Sequence, residues 1–286
     1  MESLYAAGQW PAILVAVLLG ASIGSFLNVV IVRLPKQLHQ QWQRECAELN
    51  GQPVKELDRY NLAHPPSHCP QCQQAIAWYD NIPLLSYLML SGRCRHCRES
   101  IPIVYWLVEV VLTLIAAFAA WQLGLGLTFA VVVTVASLLV VMTVIDSRHQ
   151  LLPDQLTYCL LWTGLLWSLH DAASITPSQA IIGAAAGYLS LWSVYWVFKL
   201  LTGKEGLGYG DFKLLAAIGA FTGASLLPVT ILASSLVGIV VGVIAMIKRG
   251  HSAPIPFGPF LIGGGLISFF WGEQLLHGYW QWLGYS

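Results

Sequence analysis

The sequence predicts an all-α polytopic membrane protein, with about eight transmembrane helices and a small cytoplasmic zinc-ribbon-like insert. Three observations predict it. Hydrophobic residues form 56% of the 286-residue chain and charged residues only 10%, against roughly 25% charged in soluble domains. The apolar residues gather into runs close to the roughly 20 residues that a bilayer-crossing helix needs. One stretch, 34–102, departs from this pattern: it concentrates charge and proline and carries four closely spaced cysteines.

The first apolar run is 11–32. No basic region precedes it and no small-residue cleavage site follows it cleanly, so it is read as an uncleaved anchor rather than a removed signal. After the polar insert come runs at 103–122, 127–145, 155–170, 179–201, 212–224, 227–247 and 257–277. The run at 212–224 is short for a span, which calls for tilt, partial insertion or shielding by neighbours. Small-xxx-small pairs, Gly20/Gly24, Gly183/Gly187, Gly219/Gly223 and Gly238/Gly242, are expected to let helix backbones approach closely in lipid. No internal repeat is strong enough to change the expected fold.

Charge sets the orientation. With eight spans and the N-terminus outside, all 14 Lys and Arg residues, from Arg33 to Arg249 and including Lys55 and Arg59, fall on or near one face. That face is cytoplasmic by the positive-inside rule. The 14 basic residues are balanced by 14 acidic ones. Zero net charge argues against general attraction to nucleic acid, which needs a basic surplus.

The insert holds Cys69-Pro-Gln-Cys72 and, 21 residues later, Cys94-Arg-His-Cys97. Two such knuckles fit a four-cysteine tetrahedral zinc site, and four occupied positions make the metal structural. The cations Arg93, Arg95 and Arg98 favour ionised thiols, and a reducing cytoplasm disfavours disulfides. His64, His68 and His96 lie nearby as alternative ligands. Cys46 and Cys159 lack partners at knuckle spacing, and Cys159 is expected to be a small core residue.

Three aspartates stand at expected span ends: Asp146, Asp154 after Pro153, and Asp211 in Gly208-Tyr209-Gly210-Asp211. Between Asp146 and Asp211 the chain crosses the membrane out and back, so both return to the same face. Two close carboxyls cannot both ionise easily, which suits general acid and general base roles in amide hydrolysis. Each also has a structural reading. Asp154 and Asp211 are candidate helix N-caps, and Asp146 a solvated loop charge. Glu109, inside the second span, is either a hydrogen-bonded carboxyl between helices or functional. Gly203, Gly206, Gly208 and Gly210 give the segment before Asp211 its freedom to turn.

At these residues the sequence resembles the type 4 prepilin peptidases, bifunctional leader peptidase/N-methyltransferases of the G-x-G-D aspartic protease class. The likeness rests on Gly24-Ser25-Phe26-Leu27-Asn28-Val29 before Arg33-Leu34-Pro35, and on the two C-x-x-C pairs with Ser91-Gly92-Arg93-Cys94. It continues in Ile145-Asp146, Leu152-Pro153-Asp154 and Gly208-Tyr209-Gly210-Asp211-Phe212-Lys213-Leu214. The resemblance implies Asp146 and Asp211 as the catalytic pair and cleavage of a basic leader from prepilins or pseudopilins at the cytoplasmic face of the bacterial inner membrane. It also implies N-methylation of the new N-terminus from S-adenosylmethionine. It divides the chain into a first transmembrane helix (1–33, N-terminus periplasmic), a zinc-binding insert linked to methyl transfer (34–102) and a seven-helix membrane peptidase domain (103–286). No Rossmann-type glycine motif locates the methyl donor; Asn28, Gly92, Glu109 and the three insert arginines are candidates. The competing expectation is a multi-pass transporter or assembly scaffold, stapled by the zinc ribbon, with the acids on an ion path.

Overall fold

A computed structural model describes residues 2–52, 60–249 and 255–284. Lys55 and Arg59, counted in the charge asymmetry, lie outside the described residues. Nine α-helices are assigned among them: α1 (Glu2–Leu49), α2 (Leu85–Met89), α3 (Ile103–Leu123), α4 (Leu127–His149), α5 (Asp154–Trp167), α6 (Pro177–Thr202), α7 (Tyr209–Thr222), α8 (Leu227–Arg249) and α9 (Gly258–Trp282). Short 3-10 turns cover Trp78–Asn81 and Ala224–Leu226.

Every expected apolar run has its helix. Five helical stretches are long and apolar enough to cross a membrane: Trp10–Leu49, Ile103–Leu123, Leu127–His149, Pro177–Thr202 and Ala224–Lys248. Helices α5 and α7 have 14 residues each and rise only ~21 Å, less than the ~30 Å hydrocarbon core. Shielding resolves this for α7, which packs on α5, α6 and α9 and has Phe212, Leu214, Leu215 and Ala217 fully buried.

The first helix does not stop at the expected boundary near residue 33. It runs through Pro35 to Leu49, because the Lys36–Leu49 segment is rich in Gln, Glu, Arg, Leu and Ala, good helix formers that outweigh one missing N–H. Arg33 is buried, and its guanidinium donates to the Asn61 and Leu62 carbonyls at 3.1 and 3.2 Å. The returning insert chain is thereby tied to α1.

Two compact units divide the chain, residues 1–141 and 142–286. In the first, α3 lies along α1. A Cβ on Gly20 would stand 2.8 Å from the Leu112 carbonyl oxygen, and one on Gly24 only 2.7 Å from Glu109 Cα. Ala16, Ala116, Ala119, Ala120, Phe129 and Val133 fill the core beside that contact. In the second unit α6 crosses α7 at Gly183 and Gly219, where a Cβ on either would meet the other's carbonyl oxygen at 2.2–2.3 Å. Backbone contact of this kind replaces the hydrophobic drive that lipid removes. Gly238 and Gly242 of α8 are looser, with nearest atoms at 3.4 Å.

Cys159 differs from expectation. It is exposed, on a face of α5 that the protein core does not cover.

Candidate active site and metal centre

Asp146 occupies the last turn of α4 and Asp211 the first turn of α7. Both are buried, at 5% and 8% exposure, so Asp146 is no solvated loop charge. The two carboxyls are close enough for the charge on Asp146 to act on Asp211. The Gly258 N–H at the start of α9 donates to Asp146 Oδ2 at 2.9 Å. Asp211 is the third helical residue after the N-cap Gly208, not the cap itself, and the Gly208 backbone offers a hydrogen bond to its carboxyl. An acid three residues past the cap suits the orphan N–H groups and the positive end of the helix dipole.

Leu152 ties these ends together. A Cβ on Gly210 would sit 2.7 Å from Leu152 Cβ; one on Gly258 would sit 3.2 Å from Leu152 Cδ2 and 2.6 Å from Asp146 Oδ2. A side chain at either position would have to displace Leu152 or the Asp146 carboxyl. Gly258 was not singled out from sequence, although Pro256-Phe257-Gly258-Pro259 is a turn signal at the start of the last apolar run.

Asp154 is not drawn into the pair. It is the first residue of α5 after the N-cap Pro153, and its carboxylate accepts from Lys213 Nζ at 2.6 Å. The N-cap expectation fails here because Pro153 takes the cap position. Lys213, one turn into α7, is thus pinned to α5.

The segment from Gly203 to Gly208 is anchored by a polar cluster that no sequence motif announces. Lys199 Nζ donates to Glu205 Oε1 at 2.8 Å and to the Tyr195 hydroxyl at 3.1 Å. Tyr195, 1% exposed, donates to Glu205 Oε1 at 3.2 Å, and the Tyr209 hydroxyl donates to Tyr195 at 3.3 Å. The Tyr195, Tyr209 and Phe212 rings pack mutually at 5.3–5.7 Å. The Lys199 ammonium, then the Tyr195 hydroxyl, holds the Glu205 carboxyl below its usual range.

In the insert, the Sγ atoms of Cys69, Cys72, Cys94 and Cys97 all lie within 4.8 Å of one another, with Cys69 and Cys97 at 3.8 Å. Sulfurs bound at about 2.3 Å to one tetrahedral ion stand roughly 3.8 Å apart, so the cluster fits zinc. His64, His68 and His96 are not part of it. The two knuckles also repeat one backbone pattern 25 residues apart. Cys69 N–H donates to Gln74 and Cys94 N–H to Glu99; Gln73 N–H donates back to Cys69 and Arg98 N–H to Cys94. Gln73 and Arg98 both take positive φ, 58° and 61°. Bridges His68–Ala75 and Arg93–Ser100 close each turn. This local repeat was not foreseen, because only the cysteines carry it in sequence.

The Cys97 and His96 N–H groups hold the Cys94 thiol at about 6. Cys97 is drawn down by the Glu99 N–H, but desolvation and the neighbouring thiols push it up to about 12. Four sulfurs this close share protons until a cation displaces them. Arg95 leaves the thiols to grip Asp80 with two hydrogen bonds, and it lies 5.4 Å over the Tyr79 ring. Its guanidinium, chiefly through those bonds, holds Asp80 below the usual carboxylate range.

Glu109 is bonded between helices. Its Oε2 accepts from the Leu84 N–H at 2.7 Å, and its Oε1 from Asn28 Nδ2 at 3.4 Å. Gly92 has φ +65° and abuts Tyr87, whose ring atoms a Cβ there would meet at 2.9 Å.

The chain matches the Bacterial Peptidase A24 N-terminal domain over residues 18–123 and the Type IV leader peptidase family over 133–243. Three similar proteins are each named prepilin leader peptidase/N-methyltransferase. The Pseudomonas aeruginosa protein is 46% identical over 277 residues, 96% of this chain and 95% of its own. That of Aeromonas salmonicida is 49% identical over 262 residues, 90% of each chain. That of Pectobacterium carotovorum is 50% identical over 253 residues, 87% of this chain and 89% of its own. No solved structure matches the chain. Identity near one half over 87–96% of the chain, with family models matched over residues 18–123 and 133–243, places this chain in the prepilin leader peptidase/N-methyltransferase family.

Proposed function

We propose that the chain cleaves the leader from type IV prepilins and pseudopilins with Asp146 and Asp211 as an aspartyl dyad, then N-methylates the new N-terminal residue. The family membership supports both activities. One observation carries the peptidase reading: two buried carboxyls come from helix ends 65 residues apart in sequence, and Gly258, which bonds Asp146, and Gly210, which precedes Asp211, both abut Leu152. A pair sharing one proton can take a proton from water as its oxygen attacks the scissile carbonyl carbon. It can then return a proton to the leaving amine nitrogen. The Gly258 N–H fixes Asp146, and the Gly208 turn fixes Asp211. Neither step needs a covalent enzyme intermediate.

Residues 1–33 form the first span, 34–102 the cytoplasmic insert linked to methyl transfer, and 103–286 the membrane peptidase domain, giving eight spans in all. Cys69, Cys72, Cys94 and Cys97 hold a structural zinc ion that folds the insert. S-adenosylmethionine, when bound, supplies the methyl group. The protein resides in the bacterial inner membrane with its dyad facing the cytoplasm, where a prepilin whose apolar helix is inserted presents its basic leader. A transporter would carry its acids near mid-span; these two sit at helix ends.

Mass spectrometry of a prepilin incubated with the purified protein and S-adenosylmethionine tests both activities. The expected product lacks the leader and is 14 Da heavier than the bare cleaved chain, the mass that one added methyl brings by ordinary bond chemistry (~14 Da). An uncut prepilin contradicts the reading.

A further inference from the structure

The Glu109 carboxylate is well bonded, but its surroundings are left unbalanced. Asn28 Nδ2 is spent on the Tyr105 carbonyl at 3.0 Å and on Glu109 Oε1. Asn28 Oδ1 is buried and has no donor. Trp106 Nε1 is buried and has no acceptor. Trp106 and Glu109 are three residues apart on α3, and so on one face. An orphan acceptor and an orphan donor beside a carboxylate are each costly inside a membrane protein, and native structures keep such groups chiefly where a ligand or water completes them.

The surroundings are built for that purpose. The Leu84 N–H reaches Glu109 from a backbone held at φ +63°, a conformation that costs a non-glycine residue energy. The Ser25 side chain also bonds the carboxylate. The Tyr87 ring stacks on Trp106 with centroids 6.0 Å apart, adding an aromatic face that attracts cations. A single ligand that completes all three groups would donate N–H bonds to Asn28 Oδ1, carry positive charge to Glu109 and offer an oxygen to Trp106 Nε1.

We infer that Asn28, Trp106 and Glu109 form the receptor for a primary ammonium with an adjacent carbonyl or carboxylate oxygen. This rests on the proposed methyl transfer. Two species share that chemistry: the amino-acid end of S-adenosylmethionine and the newly freed N-terminus of a cleaved pilin. Asn28, Trp106 and Glu109 all belong to the first unit, and Asp146 and Asp211 to the second.

The test uses the full-length, zinc-loaded protein in detergent or membranes, with Glu109→Gln and Trp106→Phe. Trp106→Phe removes the N–H and keeps an aromatic ring, so it decides the matter should Glu109→Gln lose its zinc. Equilibrium binding of radiolabelled S-adenosylmethionine is measured beside the methylation rate of a pre-cleaved pilin. If the site takes the donor, binding weakens at least about tenfold, the effect of losing a bond to a charged group. If it takes the pilin terminus, donor binding holds and KM for the cleaved pilin rises by a similar factor. Donor affinity and pilin KM both within twofold of the parent, in variants that retain zinc, overturn the inference. A parent that binds donor but neither cleaves nor methylates counts against the functional reading, while the binding comparison still judges the site.

Discussion

Gly258 shows how narrowly the Asp146 carboxyl is held. Any side chain there would bring its Cβ to 2.6 Å from Asp146 Oδ2 while disturbing the N–H that bonds the same oxygen. Gly258→Ala should therefore lower the turnover of leader cleavage by about 100-fold, the scale of an ångström-sized misplacement of a catalytic group. Cleavage kinetics on a synthetic prepilin check this, and near-parental turnover would remove Gly258 from the site. Asp146 and Asp211 were conspicuous in the sequence as ionisable groups among apolar residues, and the structure buries both. Gly258 was not, since its role depends on what approaches it across 112 residues of chain. Asp154 was equally conspicuous, yet its local reading as a cap missed the Lys213 partner, which only the packing of α5 on α7 brings near.

At the scale of elements, the α6–α7 crossing rests on Gly183 and Gly219. Gly183→Leu or Gly219→Leu should each lower thermal stability by about 1–3 kcal/mol or more through forced separation of the helices. Gly263→Leu, with nothing within 4 Å of a Cβ, should change it by less than about 0.5 kcal/mol. Equal effects from all three would refute a backbone-contact crossing. The small-xxx-small pattern made this helix contact readable, but it could not separate the tight pairs from Gly238/Gly242.

The Tyr195–Lys199–Glu205 anchor has a pH signature. Glu205 titrates below the usual range because Lys199 stabilises its charged form. The carboxylate's contribution is thus complete above the ordinary Glu value of about 4.3 and fades as pH falls through the lowered one. Hydrogen exchange in 203–208, corrected for intrinsic rates, should stay constant from neutral pH to about 5 and rise only in stronger acid. A rise already between about pH 6 and 7 would contradict the anchor. The glycines around Glu205 announced a turn; the buried tyrosine that holds it sits among apolar residues of α6 and gave no sign.

For the whole molecule, hydropathy runs located all the major helices, because lipid imposes length and composition together. The first helix outlasts its apolar run, because backbone propensity and the Arg33 bonds to Asn61 and Leu62 carry α1 beyond it. The cysteine spacing located the four-sulfur cluster but not the 25-residue backbone repeat around it. The purified protein should contain one zinc per chain. Replacing Cys69 and Cys97 together with Ser should bring zinc to background and expose 60–100 to proteolysis; stoichiometric zinc in that variant would exclude the four-sulfur site.

The central claim is that Asp146 and Asp211 act as one hydrolytic pair, and the most direct measurement is leader cleavage by Asp146→Asn and Asp211→Asn in membranes. Each substitution keeps the shape of the side chain and removes its ability to exchange a proton. Each variant should insert at the parental level and leave the prepilin uncut, and the double variant should be no worse than either single one. Parental cleavage by either single variant would contradict the dyad.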